Sequence, residues 1–236
     1  MSRTKLSRTL ESEAHQKLLG DILSGQLAPN TKLKVRELSE RYEIGATPLR
    51  EALSRLVPDG LVQLEQNKGF RVASLSLREL VEITEMRQVV EAEAFRRAVE
   101  NGSDQWEGQV IASLHQLNKA IAAYSATTDD SVRIEFEERH RDYHRILISA
   151  CGNSRLVQSV ETLHQHLIRY RAIFRVTEVS SDELRYMHDE LARIAVERDV
   201  ESAATMMRRH VRVNVDQVKQ GLRATPSLSA LIEINC

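Results

Sequence analysis

A mainly α-helical chain in two parts is predicted: three helices with a two-stranded wing up to residue 73, then an all-α bundle of about six helices. Three observations predict it. Residues 36–72 carry two short amphipathic segments joined by a tight turn, then two short β-prone runs around Asn67, Lys68 and Gly69. Beyond Ser74 no segment alternates convincingly as a strand does, while apolar residues recur at helical spacing. Clusters of breaking residues then cut that remainder into helix-sized lengths.

The elements follow in order. Leu38 and Tyr42 lie four apart and share one face of a short helix. Ile44 and Gly45 fit a turn, and Thr47-Pro48 fits a helix start with proline in the first turn. In the helix that follows, Leu49, Ala52, Leu53 and Leu56 form one stripe. Thr47, Glu51 and Ser54 take the opposite face, flanked by Arg50 and Arg55. Leu61–Leu64 and Phe70–Ala73 read as strands, with Asn67-Lys68-Gly69 turning between them. This is the order of a winged helix-turn-helix, which lays one helix in the DNA major groove. The apolar stripe docks that helix on its own domain and leaves the polar face for base edges and phosphates, while Lys68 and the turn amides can meet a phosphate or the minor groove.

Charge agrees modestly. Residues 1–73 hold 12 Lys/Arg against 9 Asp/Glu, and the remainder 21 against 25, so +3 faces −4. A whole chain at −1 is no bulk polyanion binder, and DNA affinity must come from a local patch.

The segment resembles the DNA-binding domain of the GntR family of bacterial transcription regulators. The resemblance rests on P-x-x-x-L from Pro29, R-E-L-S-E from Arg36, T-P-L-R-E-A-L from Thr47, Leu61-Val62, and K-G-F-R-V from Lys68. It implies DNA contacts from Arg36, Thr47, Arg50, Lys68 and Gly69. Where the family usually has Ser/Thr and then Arg before T-P, this chain has Gly45 and Ala46. One expected base or phosphate contact is missing, so the operator sequence does not carry over from relatives.

The boundary to the second part is placed at Ala73-Ser74, where S-L-S-L-R-E-L starts a helix with a capping-box pattern at Ser76 and Glu79. Breaks at Asn101-Gly102, Thr127–Asp130, Gly152-Asn153, Val179–Ser181 and Asp199-Val200 give about six helices through residue 223. Leu156, Val160, Leu163, Leu167, Tyr170 and Phe174 make a bundle-type stripe. Residues 224–236 form a tail with little helical pattern. No apolar run approaches the roughly 18 residues of a membrane span, and the N-terminus lacks the apolar stretch of a signal peptide. Cys151 and Cys236 are too few for a disulfide framework. A cytoplasmic protein is expected, with Cys151 as a small packing residue.

The second part carries histidines. His140 and His144 are four apart and lie on or beside the stripe of Val132, Phe136, Tyr143 and Leu147. His188 shares a face with Leu184, Leu191 and Ala195, and His210 with Ala203 and Met207. Any one of these alone reads as a hydrogen-bonded core residue. Four imidazoles sent to one interior are costly unless satisfied, and a divalent transition metal satisfies them. His164 and His166, two apart on a helix, read as surface or packing residues; His15 and His115 carry no signal.

Residues from about Ser76 to Leu222 resemble the all-helical FCD effector domain of the FadR subgroup. The shared features are E-x-R-x-x-x-E from Glu85, D-Y-H at Asp142–His144 with Gly152-Asn153 following, His188, and M-R-R-H ending at His210. The resemblance implies a metal held by three His and one Asp. The three match His144, His188 and His210; the Asp position holds His140, so the shell becomes all-imidazole and suits zinc or nickel.

Arg87 lies inward with Leu80, Ile83, Val90 and Ala94, and an inward guanidinium needs an anion. Glu91 one turn on is one partner; the resemblance implies another, an effector carboxylate that also reaches the metal. Arg171 and Asn214 are lesser effector candidates. L-R-E-A-L-S-x-L-V from Leu49, N-K-G-F-R-V-A-S from Asn67 and R-H-x-x-x-H from Arg139 are similar to the branch of the family that represses glutarate and carbon-starvation catabolism. That implies a C4–C6 dicarboxylate, glutarate among them. The expectation is a homodimeric repressor of double-stranded operator DNA, relieved by a small acid, with no catalytic residue and no membrane partner. Two other readings stay open: a metalloenzyme whose histidines activate water, although no HExxH, nucleophile elbow or phosphate loop is present, and a DNA-binding protein with a purely structural histidine cluster.

Overall fold

The computed structural model describes residues 3–66, 68–127, 129–174, 181–224 and 232–233; for 3–8, Phe174, Asn214, Gln217, 219–224 and Glu233 it describes the backbone alone. Among the described residues the order is α1 (Arg3–Leu23), β1 (Lys32–Leu33), α2 (Val35–Tyr42), α3 (Ala46–Leu56), β2 (Val62–Glu65), β3 (Gly69–Val72), β4 (Leu75–Ser76), α4 (Leu77–Asn101), α5 (Asp104–Ser125), α6 (Asp130–Ser149), α7 (Ser154–Phe174), α8 (Ser181–Glu197), α9 (Val200–Ala224) and β5 (Ile232–Glu233). The chain is mainly helical, in two compact units.

In the first unit, α3 buries Leu49, Ala52, Leu53 and Leu56, the stripe its sequence marks. They close a core with Leu18 and Ile22 of α1, Leu38 of α2 and Val72 of β3. The turn between α2 and α3 is built locally. Glu43 takes a left-handed conformation (φ 56°) at the end of α2, and Ser39 Oγ donates to the Ile44 carbonyl at 2.6 Å. Tyr42 donates its hydroxyl to Asp21 at 2.6 Å and ties α2 to α1. The hairpin pairs Val62 with Val72 and Glu65 with Gly69. Gly69 has φ +88°, a conformation that disfavours a Cβ.

Two features carry no sequence signal. β1 adds a third strand, so the sheet order is β1-β3-β2, all antiparallel. β4 and β5 form a parallel pair, Leu75 with Ile232 and Ser76 with Glu233, inside stretches read as free of strand. A two-residue strand has no period to detect. Ile232 is buried; residues 225–231 and 234–236 lie outside the described residues. Residues Ile168–Ile173 of α7 group with this unit. There Arg169 donates to the Ala73 and Ser74 carbonyls, and the Tyr170 hydroxyl bonds both backbone polar atoms of Ser76. The segment leaving the wing is thus held by side chains of α7.

The second unit holds α4 from Arg78, α5, α6, α7 through Leu167, α8 and α9. The helix ends follow the breaks read from sequence, apart from the stretch before Ser181, where 175–180 lie outside the described residues. Ser103 caps α5 by accepting from the Trp106 amide, and Asp129 caps α6 by accepting from the Ser131 amide. A Cβ at Gly102 would stand 2.2 Å from the Trp106 ring, which is held by its own bond to the Ile146 carbonyl, so only glycine fits. Phe95, Trp106, Leu117, Leu147, Leu191 and Met207 belong to one core. No helix among the described residues is long and apolar enough to cross a membrane.

A candidate DNA-reading face and a candidate metal centre

The polar face of α3 is exposed, with Arg55 paired to Glu11 of α1 at 3.0 Å. Thr47, Arg50, Glu51, Ser54 and Arg55 are exposed while the opposite stripe is fully covered. Arg50 has no hydrogen bond or ion pair among the described residues, so its guanidinium is available to an outside acceptor. The Arg36 side chain is 87% exposed and, among the described residues, held only by a 4.0 Å pairing to Glu40. Lys68 and Gly69 are exposed beside the wing turn; Asn67 lies outside the described residues. Arg71, by contrast, is tied to Glu65 at 2.8 Å and to the Asn30 carbonyl, so it braces the wing.

The four histidines named from sequence come together. α6 supplies His140 and His144, α8 supplies His188 and α9 supplies His210; all are buried, and one ring nitrogen from each lies within 4.8 Å of the others. The amphipathic period brings them there, because each sits on the buried stripe of its helix. The six ring-centroid separations run from 4.6 to 6.3 Å. Imidazole nitrogens about 2.0–2.1 Å from a shared zinc would give separations of roughly this size.

Hydrogen bonding prepares the donors. His188 Nδ1 lies 2.7 Å from the Leu184 carbonyl, so Nδ1 carries the proton and Nε2 keeps its lone pair. Tyr143, fully buried, donates its hydroxyl to the His188 carbonyl at 2.7 Å and fixes that turn of α8. His144 Nε2 and His210 Nε2 face each other at 3.0 Å. Two neutral nitrogens at that distance must share a proton or a cation. His144 Nδ1 is buried with no hydrogen-bond partner among the described residues. Burial, then the charges of His210, His188, His164 and Arg87, hold the His144 imidazole well below its ordinary range, hence neutral and ligand-competent at pH 7. The residues fit a divalent transition metal. No carboxylate joins the group among the described residues, so an ion there would keep its full double charge.

The depressed His144 pKa has a stability consequence. The unfolded chain binds a proton near pH 6.5 that the folded chain refuses, so His144 contributes stability above about that pH. The contribution fades as pH falls from there toward the lower folded value. The unfolding midpoint of chelated protein is expected to drop between pH 7 and pH 5. A His144→Asn variant should show a shallower drop in the same scan, and identical slopes would contradict the assignment.

Sequence reasoning left His164 as a surface or packing residue and did not connect it with the other four. It is 3% exposed on α7, with its ring edge-on to His140 and His144 at 5.7 and 5.8 Å. From His164 to Arg171 only Gln165 and His166 of α7 escape full burial, so the apolar stripe alone understates its covered side. Arg87 is buried and paired with Glu91: Nε and Nη2 donate to its two carboxylate oxygens. Arg171 is buried within the stretch that groups with the first unit. The Asn214 side chain lies outside the described residues. Cys151 is buried, its thiol 3.4 Å from the Asn153 carbonyl.

Residues 10–72 match the gntR family of bacterial regulatory proteins, and residues 82–213 match the FCD domain. The chain is 35% identical over 214 residues to the HTH-type transcriptional repressor GlaR of Escherichia coli, covering 89% of this chain and 96% of that one. It is 34% identical over 218 residues to the HTH-type transcriptional regulator BphR of Paraburkholderia xenovorans, covering 90% and 86%. Among solved structures, E. coli McbR/YncC has the same fold, with a TM-score of 0.73 at 22% identity over 89% of this chain and 97% of that one.

Proposed function

The chain belongs to the gntR family of bacterial regulatory proteins, as a DNA-binding transcriptional repressor with an FCD effector-binding domain, and from that premise we propose that it silences a carboxylic-acid catabolic operon until a small dicarboxylate binds at a metal in the helical domain. The carrying observation is the buried group of four imidazoles with the Arg87 charge beside it. As transcription regulators, its relatives leave the metalloenzyme reading without support.

In this reading residues 1–73 read DNA, residues 74–223 sense the ligand, and 224–236 are a tail. Arg36, Thr47, Arg50, Lys68 and Gly69 meet the duplex. A cytoplasmic homodimer places two α3 helices on a two-fold operator, because one short helix gives too few contacts for gene-level specificity. His140, His144, His188 and His210 hold zinc or nickel; four neutral ligands disfavour harder cations that prefer oxygen. When bound, the ion supplies a Lewis-acidic anchor for a carboxylate. Arg87 offers Nη1, a buried donor with no hydrogen-bond partner among the described residues, to the same acid. Asn214 is a weaker contributor. A doubly charged centre favours a dianion, and we take one of C4–C6 length, glutarate among them. The acid prefers one arrangement of the helices and so biases the DNA-bound state.

Metal analysis of purified protein and calorimetry with C4–C6 dicarboxylates test this. About one zinc or nickel per chain and acid binding abolished by a chelator are expected. Acid binding indifferent to chelation would remove the metal from the effector site. Metal-dependent stability without acid binding would favour a structural cluster.

A further inference from the structure

Arg87 and Glu91 stand one turn apart on α4, each about 1% exposed. Glu91 grips the guanidinium at Nε and Nη2. That grip uses both carboxylate oxygens but only one edge of the guanidinium, and Nη1 remains buried without a hydrogen-bond partner among the described residues. The Arg87 charge is close enough to act on His144. A buried cation whose charge is felt at His144 therefore keeps one nitrogen, Nη1, unpartnered among the described residues, yet its charge is already cancelled from its own helix.

We propose that Glu91 is a resident counter-anion that competes with an incoming carboxylate for Arg87 and so sets the acid concentration at which the site fills. The inference rests on the reading of this site as a carboxylate site. Its physics is one of like charges in a low dielectric. A carboxylate arriving at Nη1 meets a nearly neutral ion pair, and it also approaches the Glu91 oxygens. Without Glu91 it would meet an uncompensated guanidinium. The i, i+4 spacing holds the competitor in place whether or not ligand is present. The same carboxylate serves the ligand-free fold, because a buried arginine alone is strongly destabilising. One residue thus trades ligand affinity against stability, and the charge balance favours acids that bring two negative charges to the metal.

Glu91→Gln keeps the shape and removes the charge. In zinc-loaded protein, calorimetry should show glutarate binding at least tenfold tighter than in the parent chain, and Arg87→Ala added to Glu91→Gln should erase the gain. A second readout needs no effector. Acetate should raise the unfolding midpoint of Glu91→Gln more than that of the parent, and should not do so in the double variant. Unchanged or weaker glutarate binding by folded, zinc-loaded Glu91→Gln would overturn the proposal and make Glu91 a positioning group for Arg87. If the parent binds none of the C4–C6 dicarboxylates while Glu91→Gln shows Arg87-dependent stabilisation by acetate, the effector reading fails and the resident-anion assignment stands. Should Glu91→Gln not fold, Glu91→Asp reads the same quantity, since its shorter arm weakens the two-point grip. A smaller affinity gain is then expected, and no gain overturns the proposal.

Discussion

Arg50→Ala is expected to abolish specific operator binding while leaving the fold intact. Arg50 sits on the exposed face of α3 with no intramolecular partner among the described residues, and its neighbours Leu49 and Leu53 are fully buried on the other face. A well-placed arginine–guanine contact is worth about 1–3 kcal/mol, and in the proposed homodimer two protomers would contribute it twice. The specific dissociation constant should therefore rise by roughly two orders of magnitude or more. Thermal stability should stay within about 0.5 kcal/mol, as for other exposed substitutions. Leu53→Ala provides the contrast. It removes a buried side chain from the core of the first unit and should cost about 2–5 kcal/mol of stability, losing DNA binding through unfolding instead. Fluorescence anisotropy on the promoter fragment, with circular dichroism on the same samples, separates the two. Normal operator binding by Arg50→Ala would mean that α3 is not the recognition helix.

The second large effect is expected from His188→Ala. His188 is wholly buried, its Nδ1 is committed to the Leu184 carbonyl, and its carbonyl is held by Tyr143. Its orientation is therefore set before any ion arrives. Removing it deletes one of the four proposed ligands, which should weaken metal binding by more than the roughly 10–100-fold typical of outer-shell changes. An ion present at a hundred times its dissociation constant stabilises a fold by about 2.7 kcal/mol, and that increment should vanish. In the parent chain a chelator should lower the unfolding midpoint; in His188→Ala it should have almost no effect. Elemental analysis should fall from about one ion per chain to a small fraction, and the response to dicarboxylates should disappear with it. Unchanged metal content and an unchanged acid response would remove the metal proposal.

What was legible in the sequence had a period or a breaker. The stripe of α3, the turn at Ile44-Gly45 and the breaks that follow α4, α5, α6 and α8 all depend on local rules that act within a few residues. The four histidines were legible for the same reason, since each lies on an apolar face. Other features depend on the tertiary arrangement. β1, β4 and β5 are two residues long and exist only because a partner strand lies alongside. The sequence left His164 between surface and packing because the second half of α7 is covered almost all round, which a one-sided stripe does not announce. Arg87 was seen to need an anion, and Glu91 was the near candidate. That the pairing would leave Nη1 buried without a partner depends on three-dimensional geometry.

The most direct measurement is the affinity of metal-loaded protein for its own promoter DNA, at one fixed salt concentration, as glutarate and related C4–C6 dicarboxylates are added. A rise of about 5–150-fold in the dissociation constant is expected, the usual size of a coupling between two sites. The rise should be lost in chelated protein and in Arg87→Ala. DNA affinity that stays constant across all these acids, with the metal in place, would contradict the claim that the helical domain governs the reading head.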